Sequence, residues 1–219
     1  MPRMSAYEEH QEPPEQDPAL RRAEAAATLE TPDPEHSRHV AVLALSLFDQ
    51  LREPLDLPAE GRELLAAAAL WHDVGQRIRL ADHHRLSYEV IRDSVAREFT
   101  PEERLAIANI ARYHRGAAPS LEHTGYRSLP RRLRPLVDQM AALLRIAEAL
   151  DASHLQVVRE IRCTVGPDAV TVRVRAREYP MMEVERAHAR SGLFRDVFQR
   201  DIVFIPEIRT GEPDAPPTA

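Results

Sequence analysis

Between residues 33 and 153, apolar residues recur at spacings of three and four, the period of amphipathic helices. Asp33-Pro34 reads as a helix start, with aspartate as cap and proline at the first helical position. Val40, Leu43, Ala44, Leu47, Phe48 and Leu51 continue that stripe until Pro54 and Pro58 break it. A second helix is expected through Leu64, Leu65, Ala68 and Ala69 to His72, ended by Gly75, and a third over roughly Leu86 to Ala96. Thr100-Pro101-Glu102-Glu103 caps a fourth, which runs through Leu105, Ile107, Ala108 and Ile110 to Tyr113, and residues 133–153 make a fifth. The period then changes to two. "VVREIRCTV" and "AVTVRVRAR", joined by Gly166-Pro167-Asp168, predict a hairpin with one wet face. "MMEVERAHARSGLFRDVFQR" returns to helical spacing, and "DIVFI" reads as a last strand.

The expected architecture is mainly α, a helical bundle over residues 32–154 followed by a small α/β appendage (hairpin, helix, strand) over 155–206. Residues 1–31, rich in Pro, Glu and Gln, read as a mobile arm in which only "ALRRAEAAATLE" suits a helix, and 207–219 read as a flexible tail. No basic-then-apolar leader and no apolar run of roughly 20 residues is visible, so the expectation is a cytoplasmic protein without a membrane span. The single cysteine, Cys163, rules out an internal disulfide and a cysteine-rich zinc site. A net charge of −6 argues against nucleic acid as partner. All 29 basic residues are arginine, so every cation offers a planar fork suited to phosphate or carboxylate.

Polar residues on stripes that should be apolar carry the chemistry. His36 lies four residues before Val40 and seven before Leu43, and His72 lies four beyond Ala68, so both face inward. Asp73 follows His72 directly, and Glu148 and Asp151 share the buried face of the fifth helix. Burying unpaired carboxylates costs several kcal/mol. A divalent cation removes that cost, and a mixed imidazole and carboxylate set suits zinc, manganese or iron better than calcium or magnesium. A core histidine bonded to a carboxylate would explain His36 alone; the positions together point to a metal site. His83, His84, His114, Arg115 and Arg145, in or beside connecting segments, are candidates for a second metal or for gripping a phosphate. Tyr88, Tyr113 and Tyr126 are the only candidate platforms for a nucleotide base.

Five segments in order, "EHSRHVAVLALSLFDQL", "LLAAAALWHDVGQRI", "ADHHRLSYEVIRDS", "ERLAIANIARYHRG" and "AALLRIAEALDASH", resemble the C-terminal HD domain of the exopolyphosphatase / guanosine pentaphosphate phosphatase (Ppx/GppA) family. The resemblance covers roughly residues 32–206. It implies an HD-type helical bundle and, from the wider HD superfamily, a metal held by His36, His72, Asp73 and an acidic residue of "RIAEALD", either Glu148 or Asp151. Glu148 stands where the superfamily usually has aspartate, and Leu86 replaces the third histidine of a His-His-x-His-Ser block, which weakens the case for two metals. In that family, phosphate-chain hydrolysis belongs to two actin-like N-terminal domains, and residues 1–31 carry no Gly-rich phosphate loop. Exopolyphosphatase activity is therefore not expected.

The implied function is a metal-dependent phosphohydrolase of a phosphomonoester, phosphodiester or nucleotide, using a metal-activated water with Asp73 as ligand and proton acceptor. Arg115 and Arg145, with His84 or His114, would neutralise charge on the phosphoryl oxygens. The alternative is a non-catalytic module that binds polyphosphate or a nucleotide, or docks on a separately encoded actin-like phosphatase partner. Arg173, Arg175 and Arg177 of the hairpin could form that contact, or simply a solvated face. A homodimer is compatible with the helices and the hairpin edge.

Overall fold

The computed structural model describes residues 17–26, 31–94 and 98–208. Most of the stretch expected as an arm, the end of the expected third helix at Ala96 and nearly all of the expected tail lie outside these residues. In chain order the helices are α1 Pro18–Ala25, α2 Pro34–Leu51, α3 Gly61–Trp71, α4 His83–Asp93, α5 Pro101–Arg112, α6 Thr124–Arg127 and α7 Arg134–Ala149. The strands β1 Val158–Val165 and β2 Ala169–Ala176 follow, then α8 Met181–Arg190, α9 Gly192–Phe198 and β3 Asp201–Ile208.

Helix α3 is the centre of the bundle. Leu65, Ala66, Ala67, Ala68 and Ala69 are all fully buried, and Trp71 nearly so. A helix apolar on every side must be surrounded, and α1, α2, α5 and α7 all pack against this one. Alanine lets those neighbours approach closely, so whatever ends α3 lies at their convergence. Helix starts follow local chemistry. Asp33 caps α2 through His36 N–H (3.0 Å), and Thr100 and Glu103 form a reciprocal capping box on α5.

Three elements differ from the sequence expectation. Helix α1 falls within the expected arm, yet Ala19, Leu20 and Ala23 are buried in the core and Arg22 pairs with Glu63 of α3. Its apolar face is short, but it is captured by packing rather than left in solvent. Helix α4 begins at His83, earlier than expected, because Asp82 takes a left-handed backbone (φ 58°) and turns the chain into it without a side-chain cap. The single helix expected after the hairpin is two, α8 and α9, divided at Ser191.

The C-terminal sheet has the order β1-β2-β3, with β1 and β2 antiparallel and β2 and β3 parallel. Helices α8 and α9 form the crossover and pack on α7. Val170, Val172 and Val174 alternate inward along β2, as the period of two predicts. Gln50 of α2 joins bundle and sheet. Its Nε2 donates to Ile161 O (3.0 Å) and its Oε1 accepts from Cys163 N–H (2.8 Å). One amide thus stands where a neighbouring strand would be. No helix among the described residues is long and apolar enough to cross a membrane.

Candidate metal centre

The C-terminal end of α3 delivers His72 and Asp73 into the middle of the bundle, and the chain then tightens into a 3-10 turn over Val74–Arg77. His72 is fully buried and Asp73 is 5% exposed. The first turn of α2 brings His36, the first turn of α4 brings His83, and the residue after the α5 cap brings His114. All three are buried. The helix start at His83 therefore matters chemically: His83 is fixed on a helical turn rather than free on a loop.

Hydrogen bonds fix how these rings face. His72 Nδ1 lies 2.7 Å from Ala69 O, His83 Nδ1 2.9 Å from Leu80 O and His114 Nδ1 2.7 Å from Ala111 O. His36 Nδ1 lies 2.8 Å from Asp151 Oδ2. A carbonyl or carboxylate accepts only, so each Nδ1 carries a proton, and a ring with no second proton turns an Nε2 lone pair away from it. Those lone pairs converge on Asp73. His83 Nε2 lies 3.0 Å and His114 Nε2 3.7 Å from Asp73 Oδ1, and His72 Nε2 lies 3.5 Å from Asp73 Oδ2. His83 Nε2 and His114 Nε2 are 3.4 Å apart. The buried Nε2 atoms of His36 and His72 and the buried Oδ1 of Asp73 have no hydrogen-bond donor.

Acceptors facing acceptors in a dry interior are unfavourable unless a cation or added protons lie among them. Burial disfavours protons on the rings, lowering the His72 pKa and depressing that of His114 still further. Burial also opposes charge on Asp73, but positive charge on the adjoining rings of His72, His83 and His114, when they are protonated, outweighs it and holds the carboxyl well below the usual range. The side chains form two groups with the spacing of metal ligands, His36/His72/Asp73 and Asp73/His83/His114, which share Asp73. This donor set fits a divalent transition metal: neutral imidazole nitrogens and one ionised carboxylate, with second nitrogens already engaged by carbonyl or carboxylate oxygens.

The remaining candidates are placed as follows. Asp151 and Glu148 stand outside both groups. Asp151 spends Oδ2 on His36 and Oδ1 on Gln156 N–H (2.8 Å), so it orients a histidine instead of joining it. Glu148 is paired with Arg190 of α8. Arg145 does not face the cluster as an open phosphate clamp. Its Nε donates to Tyr113 O (2.6 Å) and its Nη2 to Gly116 O and Ala117 O (2.8 and 2.7 Å), which ties down the chain after α5. His83 and His114, expected as phosphate contacts or second-metal ligands, sit in the second group. Arg115 is exposed beside them. His84 lies next to the cluster, its ring centroid 6.2 Å from His83 and 6.4 Å from His114, in a small recess shared with Arg85, Arg112 and His123. Burial and the surrounding cations bring its pKa down to about 4. Tyr88, Tyr113 and Tyr126 are buried and offer no free ring face for a base.

Sequence reasoning missed three residues. Gln76 Nε2 donates to Asp73 Oδ2 from the 3-10 turn. His154 stacks on His36 (centroids 3.6 Å apart, planes 9° apart) and its Nδ1 lies 2.9 Å from Asp33 Oδ2. It is the last residue of "ALDASH", but no helical stripe points it inward. Arg190 is the third.

Fold and cluster together define a helical protein with a candidate metal centre of buried histidines around one aspartate. The family model described as Ppx/GppA phosphatase, domain III, matches residues 22–178, from within α1 to just past β2. The chain belongs to the Ppx/GppA phosphatase family and is a module of a phosphatase family.

Proposed function

We propose that this chain is an HD-type metal-dependent phosphohydrolase acting on a phosphomonoester, phosphodiester or nucleotide. The observation that carries the reading is the convergence of buried Nε2 atoms on Asp73, those of His36 and His72 without a hydrogen-bond partner, each ring held by a bond at Nδ1. His36, His72 and Asp73 would hold one ion of manganese, zinc or iron, and Asp73, His83 and His114 a second. A bound ion of this type supplies Lewis acidity, which acidifies water and polarises a phosphoryl oxygen. In this reading Asp73, the carboxylate common to both groups, would serve as ligand and as acceptor of the water's proton. Asp151 fixes the tautomer and direction of His36. Arg115 and His84 lie beside the cluster and would meet the charge of a phosphoryl group, while Arg145 would act at one remove by holding the 113–117 backbone in place.

A second reading, a module that binds polyphosphate or a nucleotide without cleaving it, or that docks on an actin-like phosphatase partner, is favoured by one observation: Glu148, one of the two acidic residues expected as a ligand, is taken up by Arg190. Elemental analysis and hydrolysis assays separate the two. The hydrolase reading expects one to two transition-metal ions per chain and cleavage of p-nitrophenyl phosphate or its bis ester. His72→Ala and Asp73→Ala should abolish cleavage while helical circular dichroism persists. Protein that takes up manganese, zinc or iron and still cleaves no phosphate ester would overturn it in favour of the binding module.

A further inference from the structure

Helix α8 lies outside the residues matched by the family model, yet it sends a cation to the border of the histidine cluster. Arg190, its last residue, has a side chain only 17% exposed and pairs with Glu148, itself 12% exposed. Ala187, three residues earlier, is fully buried on the same helix, which packs along α7. Glu148 is one helical turn from Arg145 and from Asp151, so the pair sits on the α7 face that borders the metal centre. Burial, followed by Arg115 and Arg145, lowers the Arg190 pKa to about 10, and Asp73 opposes the shift. Arg190 is therefore within electrostatic reach of both the shared carboxylate and the two arginines.

Arg115, Arg145 and Arg190 bring three positive charges to this corner, matched by the three carboxylates of Asp73, Glu148 and Asp151. A divalent ion held by the histidines and Asp73 would tip it to a positive surplus, and such a surplus favours an anion. Of the three arginines, Arg145 has given donors to three carbonyls and Arg115 is exposed. Arg190 is the sheltered one. Its guanidinium has five N–H donors in a planar fork, so it can keep Glu148 on one edge and offer another to a phosphoryl group.

We propose that Arg190 binds the phosphoryl group of the substrate, positioned by Glu148, so that the C-terminal α/β unit completes the site. The inference rests on the phosphate-directed reading above but not on turnover. In this arrangement Glu148 is a positioning residue for a cation instead of a metal ligand.

The test uses the full chain loaded with manganese and inorganic phosphate as probe, with affinity measured by titration calorimetry and KM and kcat measured on p-nitrophenyl phosphate. Loss of one charge-assisted contact should weaken phosphate binding about tenfold or more in Arg190→Ala. KM should rise, manganese content should stay unchanged, and Arg190→Lys should recover part of the loss. Glu148→Gln/Arg190→Ala removes the stranded carboxylate and controls for misfolding; it should show the same weak phosphate binding at normal helicity. Wild-type phosphate affinity in Arg190→Ala or in the double variant overturns the inference, even if hydrolysis is confirmed. Phosphate binding that is lost with Arg190 in a protein that hydrolyses nothing upholds it and refutes the hydrolase.

Discussion

Gly75 gives the sharpest prediction, because it sets how closely α4 approaches the end of α3. A Cβ added there would lie 2.3 Å from the carbonyl oxygen of His83 and 2.4 Å from the amide nitrogen of Ser87, both main-chain atoms of α4. Reaching even 3.0 Å from that oxygen requires a retreat of about 0.7 Å. The obstacle is helix backbone, so no side-chain rotation relieves it. Gly75 N–H also donates to Ser87 Oγ (2.9 Å), a bond that the same retreat would stretch. Overpacking of this kind costs roughly 1–3 kcal/mol, or a fall of about 2–12 °C in melting temperature for a chain of this size. The displacement falls on His83, whose Nε2 is 3.0 Å from Asp73 Oδ1. Gly75→Ala should therefore loosen the Asp73/His83/His114 group while sparing His36/His72/Asp73. Differential scanning fluorimetry and metal titration of the same preparation measure both effects. A Gly75→Ala protein that melts with the wild type and binds the same metal with the same stoichiometry and affinity would refute the argument.

Two further outcomes follow from the same coordinates. Asp151→Asn leaves His36 without an anionic partner for its Nδ1–H and should weaken metal binding about 10–100-fold in chelator competition; unchanged affinity would show that Asp151 serves only packing. Cys163 is half-buried, and loss of solvent pushes its thiol up to about 12, so near pH 8 its thiolate is roughly a thousandfold rarer than that of an ordinary cysteine. Native protein should react very slowly with a thiol reagent, unfolded protein promptly, and the native rate should climb as pH rises; fast reaction at pH 8 in the folded state would contradict this burial.

Much of this arrangement was legible in local pattern. The cap at Asp33 and the inward stripes of α2 and α3 fix where His36 and His72 point, the capping box at Thr100 and Glu103 starts α5, and all four are properties of neighbouring residues. What stayed hidden depends on contacts between distant segments. Helical periodicity puts both Glu148 and Asp151 on a buried face, but it does not say that Arg190 occupies one and His36 the other. Arg145 looks like a phosphate ligand by type and position; its donors are drawn off by three carbonyls left open where α5 ends. His83 was expected in a connecting segment: Asp82 before it is a residue type that caps helices, but its side chain makes no cap bond. A left-handed Asp82 starts the helix instead, through a conformation that composition does not announce. Arg190 was missed because the appendage read as a separate unit.

The amide of Gln50 has a consequence for self-association. Strand-by-strand polymerisation needs two sticky flanks on every molecule, one to give and one to receive. Capping β1 with a side chain withdraws one of them, so additional strands can join only alongside Asp201–Ile208, where Val203, Ile205 and Ile208 are exposed. Two molecules that met there would use up each other's free flank, and the ribbon would stop at a pair rather than grow into a fibre.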